Sequence, residues 1–112
     1  MKSIILASKS EVRKKILDDN QIECTVEPSN LDEDEVKKSL LNQGATPEHI
    51  SKNLAELKAN KVSQKKSGEF VLGADSVIDL NGKLISKPTN RTEAVDILAS
   101  LNGRSHFLIS SV

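Results

Sequence analysis

Apolar residues near the start of the chain are first contiguous and then helically spaced, which predicts a strand followed by a helix. Residues 2–7 contain an unbroken Ile-Ile-Leu run, as in a strand covered on both faces, and so predict an interior strand. Val12 and Ile16 lie four residues apart and predict the buried side of a helix. Ser8 or Ser10 precedes this helix at the position of an N-cap.

A second strand and two further helices are predicted next. Residues 22–26 read as a short strand. The acidic run at residues 32–35 favours a helix that ends before Gly44, because carboxylates stabilise a helix start. Thr46 and Pro47 supply an N-cap and a first-turn proline for a longer helix. The buried stripe of that helix is predicted to contain Ile50, Leu54, Leu57 and Val62.

The most strand-like stretch of the chain is predicted over residues 70–80. The dipeptide at residues 81–82 is Asn-Gly, which favours a tight hairpin into a further strand at residues 83–86.

A fourth helix and a last strand are predicted after the hairpin. Thr89 or Asn90 caps the helix, and residues 105–112 form the strand. The apolar positions of this helix are Ala94, Ile97, Leu98 and Leu101. The resulting order β-α-β-α-α-β-β-α-β predicts a mixed α/β fold. The last strand ends at Val112 without a turn, cap or polar tail, so residues 1–112 are predicted to be a single domain truncated on its C-terminal side.

Composition fits one small domain with an aliphatic core. The chain has 112 residues, 37% of them hydrophobic, with two Phe and neither Trp nor Tyr. Sixteen basic residues balance sixteen acidic ones, so the chain has no strongly basic surface for a nucleic acid polymer. Two Phe also leave almost no aromatic side chains on which bases could stack. No apolar run is long enough to span a membrane, and the single Cys24, together with the lack of a secretory signal, predicts a cytoplasmic protein.

The turn between the first strand and the first helix has the features of a phosphate site. Ser8, Ser10 and Arg13 lie there. Free backbone N–H groups and the dipole of a helix start attract anions, and arginine adds a bidentate fork. An ordinary serine cap beside a solvated arginine explains the same residues, so both interpretations stay open.

Asp75 is a carboxylate inside an otherwise apolar predicted strand. A buried carboxylate without a partner costs several kcal/mol, so something must compensate it. Gly73 shares its face, and a glycine inside a strand often marks the close approach of a ligand or of backbone. Asp75 is therefore either a structural hydrogen-bonding residue or a functional carboxylate.

Three other charged residues are weaker candidates when judged by spacing. Glu33 lies in the acidic run, which a solvated helix start also explains. Lys58 falls within the apolar arc of the long helix, so its ammonium either reaches out to solvent, the slightly favoured alternative, or is held by a buried anion. Lys87 precedes Pro88, which extends the backbone there, and a surface loop lysine is the alternative.

Several short blocks occur in an order and at intervals that are specific as a set. They are Leu6-Ala7-Ser8-Lys9-Ser10 followed by Arg13, Asp32-Glu33, Leu54-Ala55-Glu56-Leu57-Lys58-Ala59, Gly73-Ala74-Asp75-Ser76, Lys87-Pro88 and Leu101-Asn102-Gly103-Arg104-Ser105-His106. This set resembles the Maf family of nucleoside triphosphate pyrophosphatases across the whole chain, although it covers only the first part of the family domain. The resemblance implies an α/β fold in which helices flank a mixed, twisted sheet, incomplete in this chain.

The resemblance also implies an activity and a site. The reaction is hydrolysis between the α- and β-phosphates of a nucleoside triphosphate, which yields a monophosphate and pyrophosphate. Phosphate contacts fall to Ser8, Ser10, Arg13, Lys58 and Lys87. Glu33 and Asp75 hold a divalent cation, Mg²⁺ or Mn²⁺, which hard oxygen ligands suit, and Asp75 also accepts a proton.

Base selection is not assigned by the resemblance. Val12 and Ser76 align with positions that the family uses for substrate choice, but Glu11 and Val12 replace the Pro-Arg or Pro-aromatic pair of many members. A homodimer is one expectation for the full-length protein. A non-catalytic nucleotide-binding regulator linked to septum formation and an inactive fragment are the alternative functions.

Overall fold

The computed structural model describes residues 3–88 and 90–112, which form four helices and six short strands. The strands are β1 (Ile4–Leu6), β2 (Cys24–Val26), β3 (Phe70–Leu72), β4 (Asp75–Leu80), β5 (Lys83–Ile85) and β6 (Phe107–Ser111). The helices are α1 (Glu11–Asp19), α2 (Glu33–Asn42), α3 (Pro47–Lys65) and α4 (Arg91–Leu101). Helices and strands are thus mixed along the chain, which confirms the predicted α/β class.

The strands form two separate three-stranded sheets. In the first sheet β1 lies between β2 and β3, and both run parallel to it. Ile5 and Leu6 are 8% and 1% exposed, so the predicted interior strand is confirmed, while Lys2, its first predicted residue, lies outside the described residues. In the second sheet β4 lies between β5 and β6 and is antiparallel to both. The mixed sheet is therefore divided into a parallel and an antiparallel part.

Gly73 and Ala74 separate β3 from β4, so the single strand predicted over residues 70–80 is wrong. A Cβ atom on Gly73 would lie 2.3 Å from the carbonyl oxygen of Ala55 and 2.9 Å from the Cβ of Ala59. The backbone therefore touches α3 at this point, where the chain leaves the first sheet and enters the second. The close approach expected at Gly73 is confirmed, and the approaching group is the helix backbone.

α3 packs against strands of both sheets, including β3, β4 and β6. Ile50 and Leu54 are fully buried and Val62 is 2% exposed, which confirms three members of the predicted apolar stripe. The fourth member, Leu57, is 38% exposed because it lines an open groove between α2 and α3. Val62 also packs with Ile5 of β1 in the core beneath the first sheet.

Side-chain caps fix the helix starts. Ser10 accepts a hydrogen bond of 3.2 Å from a first-turn backbone N–H, so Ser10 rather than Ser8 caps α1. Asn90 caps α4 with a bond of 2.9 Å, and the alternative cap Thr89 lies outside the described residues. The hairpin predicted at residues 81–82 is confirmed, since both residues have positive φ, 52° and 86°, and join β4 to β5.

The predicted buried side of α1 is exposed. Val12 and Ile16 are 69% and 56% exposed, so that prediction is wrong. Two apolar residues do not define a stripe in a helix composed mainly of charged residues. α1 is stabilised instead by its cap and by ion pairs such as that of Lys14 with Asp18, which are 2.9 Å apart. The hydrogen bond to Asp18 raises the pKa of Lys14. Leu98 of α4 is likewise 68% exposed.

We expect Gly73→Ala to destabilise the chain by about 3 kcal/mol, because a methyl group there overlaps backbone atoms of α3 that cannot rotate away. Gly44→Ala is the matched control. Gly44 has a φ of 78° and no atom within 4 Å of a Cβ built there, so the alanine introduces only left-handed backbone strain and lowers the stability by about 1 kcal/mol. Urea unfolding of both variants measures the difference, and equal losses would contradict the close packing of Gly73 on α3.

Candidate active site

A cavity of about 370 Å³ opens beside the ends of β1 and β2. The carboxyl ends of parallel strands meet at one edge of a sheet, and ligands of open α/β sheets bind outside that edge. The loops that follow β1, β2 and β5 form the walls, together with the first turns of α1 and α2, one residue of α3 and the first two residues of β4. The lining residues are Ala7, Ser8, Lys9, Ser10, Arg13, Ser29, Asn30, Leu31, Glu33, Asp34, Lys37, Lys58, Asp75, Ser76, Ser86, Lys87 and Pro88.

Lys58 and Asp75 form a buried ion pair in this cavity. The Lys58 Nζ lies 3.1 Å from the Asp75 Oδ1, and the two side chains are 9% and 7% exposed. The same Nζ lies 2.7 Å from the Oε1 of Glu33, whose side chain is 42% exposed, and 3.2 Å from the carbonyl oxygen of Ala74. One ammonium therefore bridges two carboxylates. The alternative that Lys58 reaches out to solvent is wrong. Glu33 lies at the start of α2 and also forms an ion pair with this buried lysine.

Asp75 is held at one oxygen and left open at the other. Ser51 Oγ, fully buried on α3, donates a 3.1 Å hydrogen bond to the backbone carbonyl of Asp75 and fixes the start of β4. Lys58 contacts Oδ1, whereas Oδ2 is buried and has no hydrogen-bond partner among the described residues. A buried carboxylate oxygen without a donor is costly, which makes it a natural acceptor for a proton or a cation.

Arg13 is positioned by hydroxyl groups. Its guanidinium donates to Ser8 Oγ at 2.9 Å and to Ser76 Oγ at 3.5 Å, and Ser76 Oγ lies 2.9 Å from Ser110 Oγ. Ser8 is available because Ser10 is the helix cap. Hydroxyls orient a guanidinium without neutralising it, so the positive charge of Arg13 remains available to an anion.

The cavity has more positive than negative side chains. Five cationic and three acidic residues line it. Within residues 3–88 and 90–112, the cations other than Lys58 make no ion pair. These unpaired cations are Lys9, Arg13, Lys37 and Lys87. Several unneutralised cations around one cavity favour a polyanionic ligand.

The cavity brings together almost every residue that the sequence singled out for phosphate, metal and base recognition. They are Ser8, Ser10, Arg13, Glu33, Lys58, Asp75, Ser76 and Lys87. Val12 is the exception, because it is 69% exposed and does not line the cavity in the described structure. The roles given to these residues stay predictions.

Sequence reasoning gave no role to several of the lining residues, among them Lys9, Ser29 and Lys37. Lys9 stands between the two candidate serines, and Ser29 follows the proline that ends β2. Lys37 lies four residues after Glu33, which places both side chains on one face of α2. That spacing was the available signal for Lys37. Lys9 and Ser29 line the cavity because of the conformation of their loops, which hydrophobic periodicity does not predict.

The acidic residues present fit a divalent cation that also binds substrate. Among the described residues no group of three or more His, Cys, Asp or Glu side chains is arranged as a metal site. Glu33 and Asp75 nonetheless share one bridging partner, and the buried Oδ2 of Asp75 lacks a donor. Mg²⁺ is often held by one or two carboxylates together with phosphate oxygens and waters, so two carboxylates suffice.

The chain is a mixed α/β protein with a cationic cavity at the carboxyl edge of its parallel sheet, and comparison with known proteins identifies the family. The family model described as Maf-like protein matches residues 3–112, so the chain belongs to the Maf family.

Curated relatives carry related names. The chain is 68% identical to the nucleoside triphosphate pyrophosphatase of Pelagibacter ubique (strain HTCC1062) over 112 residues, which are 100% of this chain and 57% of that protein. It is 44% identical to the nucleoside triphosphate pyrophosphatase of Ruegeria sp. (strain TM1040), over 96% of this chain and 54% of that protein. It is 37% identical to the 7-methyl-GTP pyrophosphatase of Brucella abortus biovar 1 (strain 9-941), over 97% and 55%. The chain thus spans about half the length of these relatives.

None of its described helices is long and apolar enough to cross a membrane.

We expect Lys58→Met to destabilise the chain by about 3 kcal/mol, because it leaves the buried Asp75 carboxylate without its cation. Lys52→Met is the matched control on the same helix. Lys52 pairs with Glu48 at 3.1 Å, but both side chains are more than half exposed, so less than about 1 kcal/mol is lost. Denaturant unfolding measures both changes, and similar losses in the two variants would contradict a buried pair.

Proposed function

We propose that the protein containing this chain is a nucleoside triphosphate pyrophosphatase that releases a monophosphate and pyrophosphate. One observation carries the proposal: a buried carboxylate with an unpartnered oxygen lies in a cavity lined by several unpaired cations. This combination suits the hydrolysis of a polyanion, in which cations hold the phosphates and a carboxylate accepts a proton. The printed names of the relatives support the same reaction.

Binding of the triphosphate falls to the cations and hydroxyls of the loops. Arg13 provides a fork for two phosphate oxygens, held in place by Ser8 and Ser76. Lys87 lies in the loop after β5 and lines the same cavity. Cations on several walls fix the phosphate chain in one orientation, which places one phosphorus atom for attack.

Asp75 is the proton acceptor in this proposal. Water adds its oxygen to a phosphorus next to the α–β bridging oxygen, and the bond from that phosphorus to the bridging oxygen breaks. One water proton passes to Asp75 Oδ2, while the leaving phosphate takes the bridging oxygen and its electron pair. Oδ2 has no hydrogen-bond partner among the described residues, so it is the oxygen assigned to accept that proton.

Glu33 and Asp75 would hold the divalent cation, Mg²⁺ or Mn²⁺. When bound, such an ion neutralises phosphate charge and makes water easier to deprotonate. The carboxylates also keep the ion near the buried part of the cavity, away from the exposed Lys9 and Lys87.

Substrate and location follow from the same proposal. A triphosphate site with no excess of positive charge over the whole chain favours a small nucleotide rather than a nucleic acid polymer. A free nucleotide and the unpaired Cys24 suit the cytoplasm. The preferred base is not assigned, and the homodimer of a full-length protein stays a prediction.

We expect Asp75→Asn to lower the rate of pyrophosphate release at least about a hundredfold, because an amide cannot accept the proton. The assay uses the protein from its complete reading frame, a panel of nucleoside triphosphates, and Mg²⁺ or Mn²⁺. Asp79→Asn is the matched control on the same strand. Asp79 binds the hairpin N–H of Gly82 at 2.6 Å, and an asparagine keeps that acceptor, so the rate stays within about twofold. An active Asp75→Asn protein would remove the role assigned to Asp75.

We expect Arg13→Ala to weaken the binding of inorganic pyrophosphate by about 10- to 100-fold, since charge-assisted hydrogen bonds are lost. Calorimetry without metal isolates this contribution from the carboxylates. Arg91→Ala, at the exposed start of α4, is the control and leaves the affinity unchanged. Equal effects of both changes would show that only overall charge matters.

A further inference from the structure

The Lys58 ammonium is surrounded by protein oxygen atoms in this structure. An ammonium group has three N–H donors and no acceptor. Three oxygens lie within 3.2 Å of the Lys58 Nζ, one each from Glu33, Asp75 and the backbone of Ala74. The side chain is also only 9% exposed. Two donors of Lys58 are therefore in hydrogen bonds, to Asp75 and to the carbonyl of Ala74, and its charge is paired with both Glu33 and Asp75.

The ammonium also stands between the two carboxylates that would hold a divalent cation. Its Nζ is 2.7 Å from the Glu33 Oε1 and 3.1 Å from the Asp75 Oδ1. A divalent cation bound by both side chains would have to lie close to these oxygens, and it would repel an ammonium that stayed among them. The two positive groups therefore compete for one place.

We infer that Lys58 is an exchangeable internal cation, which holds Glu33 and Asp75 together until a divalent cation displaces it. This inference rests on the proposed function. The displaced ammonium stays in the cavity, because lysine carries its charge on a flexible four-carbon stem, and its donors become available to phosphate. The phosphate contact predicted for Lys58 then forms only after the exchange. Metal binding and phosphate binding consequently favour each other, and this coupling is reciprocal.

The first test measures Mn²⁺ binding to the complete chain without nucleotide, by electron paramagnetic resonance of free Mn²⁺. We expect Lys58→Met to bind Mn²⁺ at least about tenfold more tightly than the unmodified chain, because the competing charge is gone. Lys52→Met leaves the affinity unchanged, and Glu33→Gln weakens it, which locates the ion at these carboxylates. Equal or weaker binding by a folded Lys58→Met chain would overturn the exchange, as would the absence of Mn²⁺ binding in all four proteins.

The second test needs no substitution and decides the matter if Lys58→Met does not fold. The unmodified chain is treated briefly with a small amine-acylating reagent, with and without Mg²⁺, and labelling is read at each lysine by mass spectrometry. We expect Mg²⁺ to raise labelling of Lys58 severalfold, because the buried amine is released, while Lys61, which donates to the carbonyl of Asn30 at 2.9 Å, keeps its labelling. Unchanged or lower labelling of Lys58 would overturn the inference.

These readouts separate the inference from the proposed function. Metal-dependent release of Lys58 in a protein that releases no pyrophosphate from any triphosphate would retain the exchange and reject the hydrolase. Pyrophosphate release with no change in the labelling of Lys58 would retain the hydrolase and reject the exchange.

Discussion

Asp75 is buried at the start of β4, and the structure around it follows from the need to compensate that carboxylate. Lys58 supplies the cation and Ser51 binds the backbone carbonyl of Asp75, both from α3. These two contacts fix how the helix lies against the second sheet. A buried ion pair adds little net stability compared with apolar residues of the same volume, whereas breaking one is costly. The pair is therefore better explained by the chemistry of the cavity than by folding.

Gly73 allows this pair to form. The backbone before Asp75 must pass so close to α3 that a Cβ would meet the carbonyl oxygen of Ala55 at 2.3 Å. Any larger residue would push the start of β4 away from the helix and lengthen the contact between Lys58 and Asp75. One glycine thus ends the parallel sheet, begins the antiparallel one and sets a distance in the candidate site.

Local patterns predicted the elements, and tertiary contacts decided the rest. The hairpin at residues 81–82 and the interior strand β1 depend on neighbouring residues in sequence, so the pattern was sufficient. The division at Gly73 depends on contacts with Ala55 and Ala59, which lie more than ten residues earlier in the sequence, and an apolar run cannot show it. The exposure of Val12 depends on which elements pack on α1, and helical spacing does not contain that information.

For the site, the sequence indicated which residues belong together but not which of them are partners. Lys58 and Asp75 were separate candidates, and only their 3.1 Å contact shows that one neutralises the other. Ser8 and Ser10 were alternatives for one cap, and the structure gives them different tasks. Partner choice depends on side-chain direction in three dimensions, which spacing along one element does not determine.

The charges of the cavity are unevenly distributed. Lys58 and Asp75 are buried and the half-exposed Glu33 contacts the same ammonium, which together makes a net negative group, whereas the other four cations have no carboxylate partner in the described structure. This negative group would attract a metal ion and the unpaired cations would attract phosphate, so under the proposed function a metal-bound triphosphate would satisfy both, which neither ion would do alone. If Lys58 leaves this group when the metal arrives, the group loses one positive charge and gains two, and the unpaired cations gain one more member. In that case, the movement of one lysine side chain adjusts the distribution of charge to the ligand.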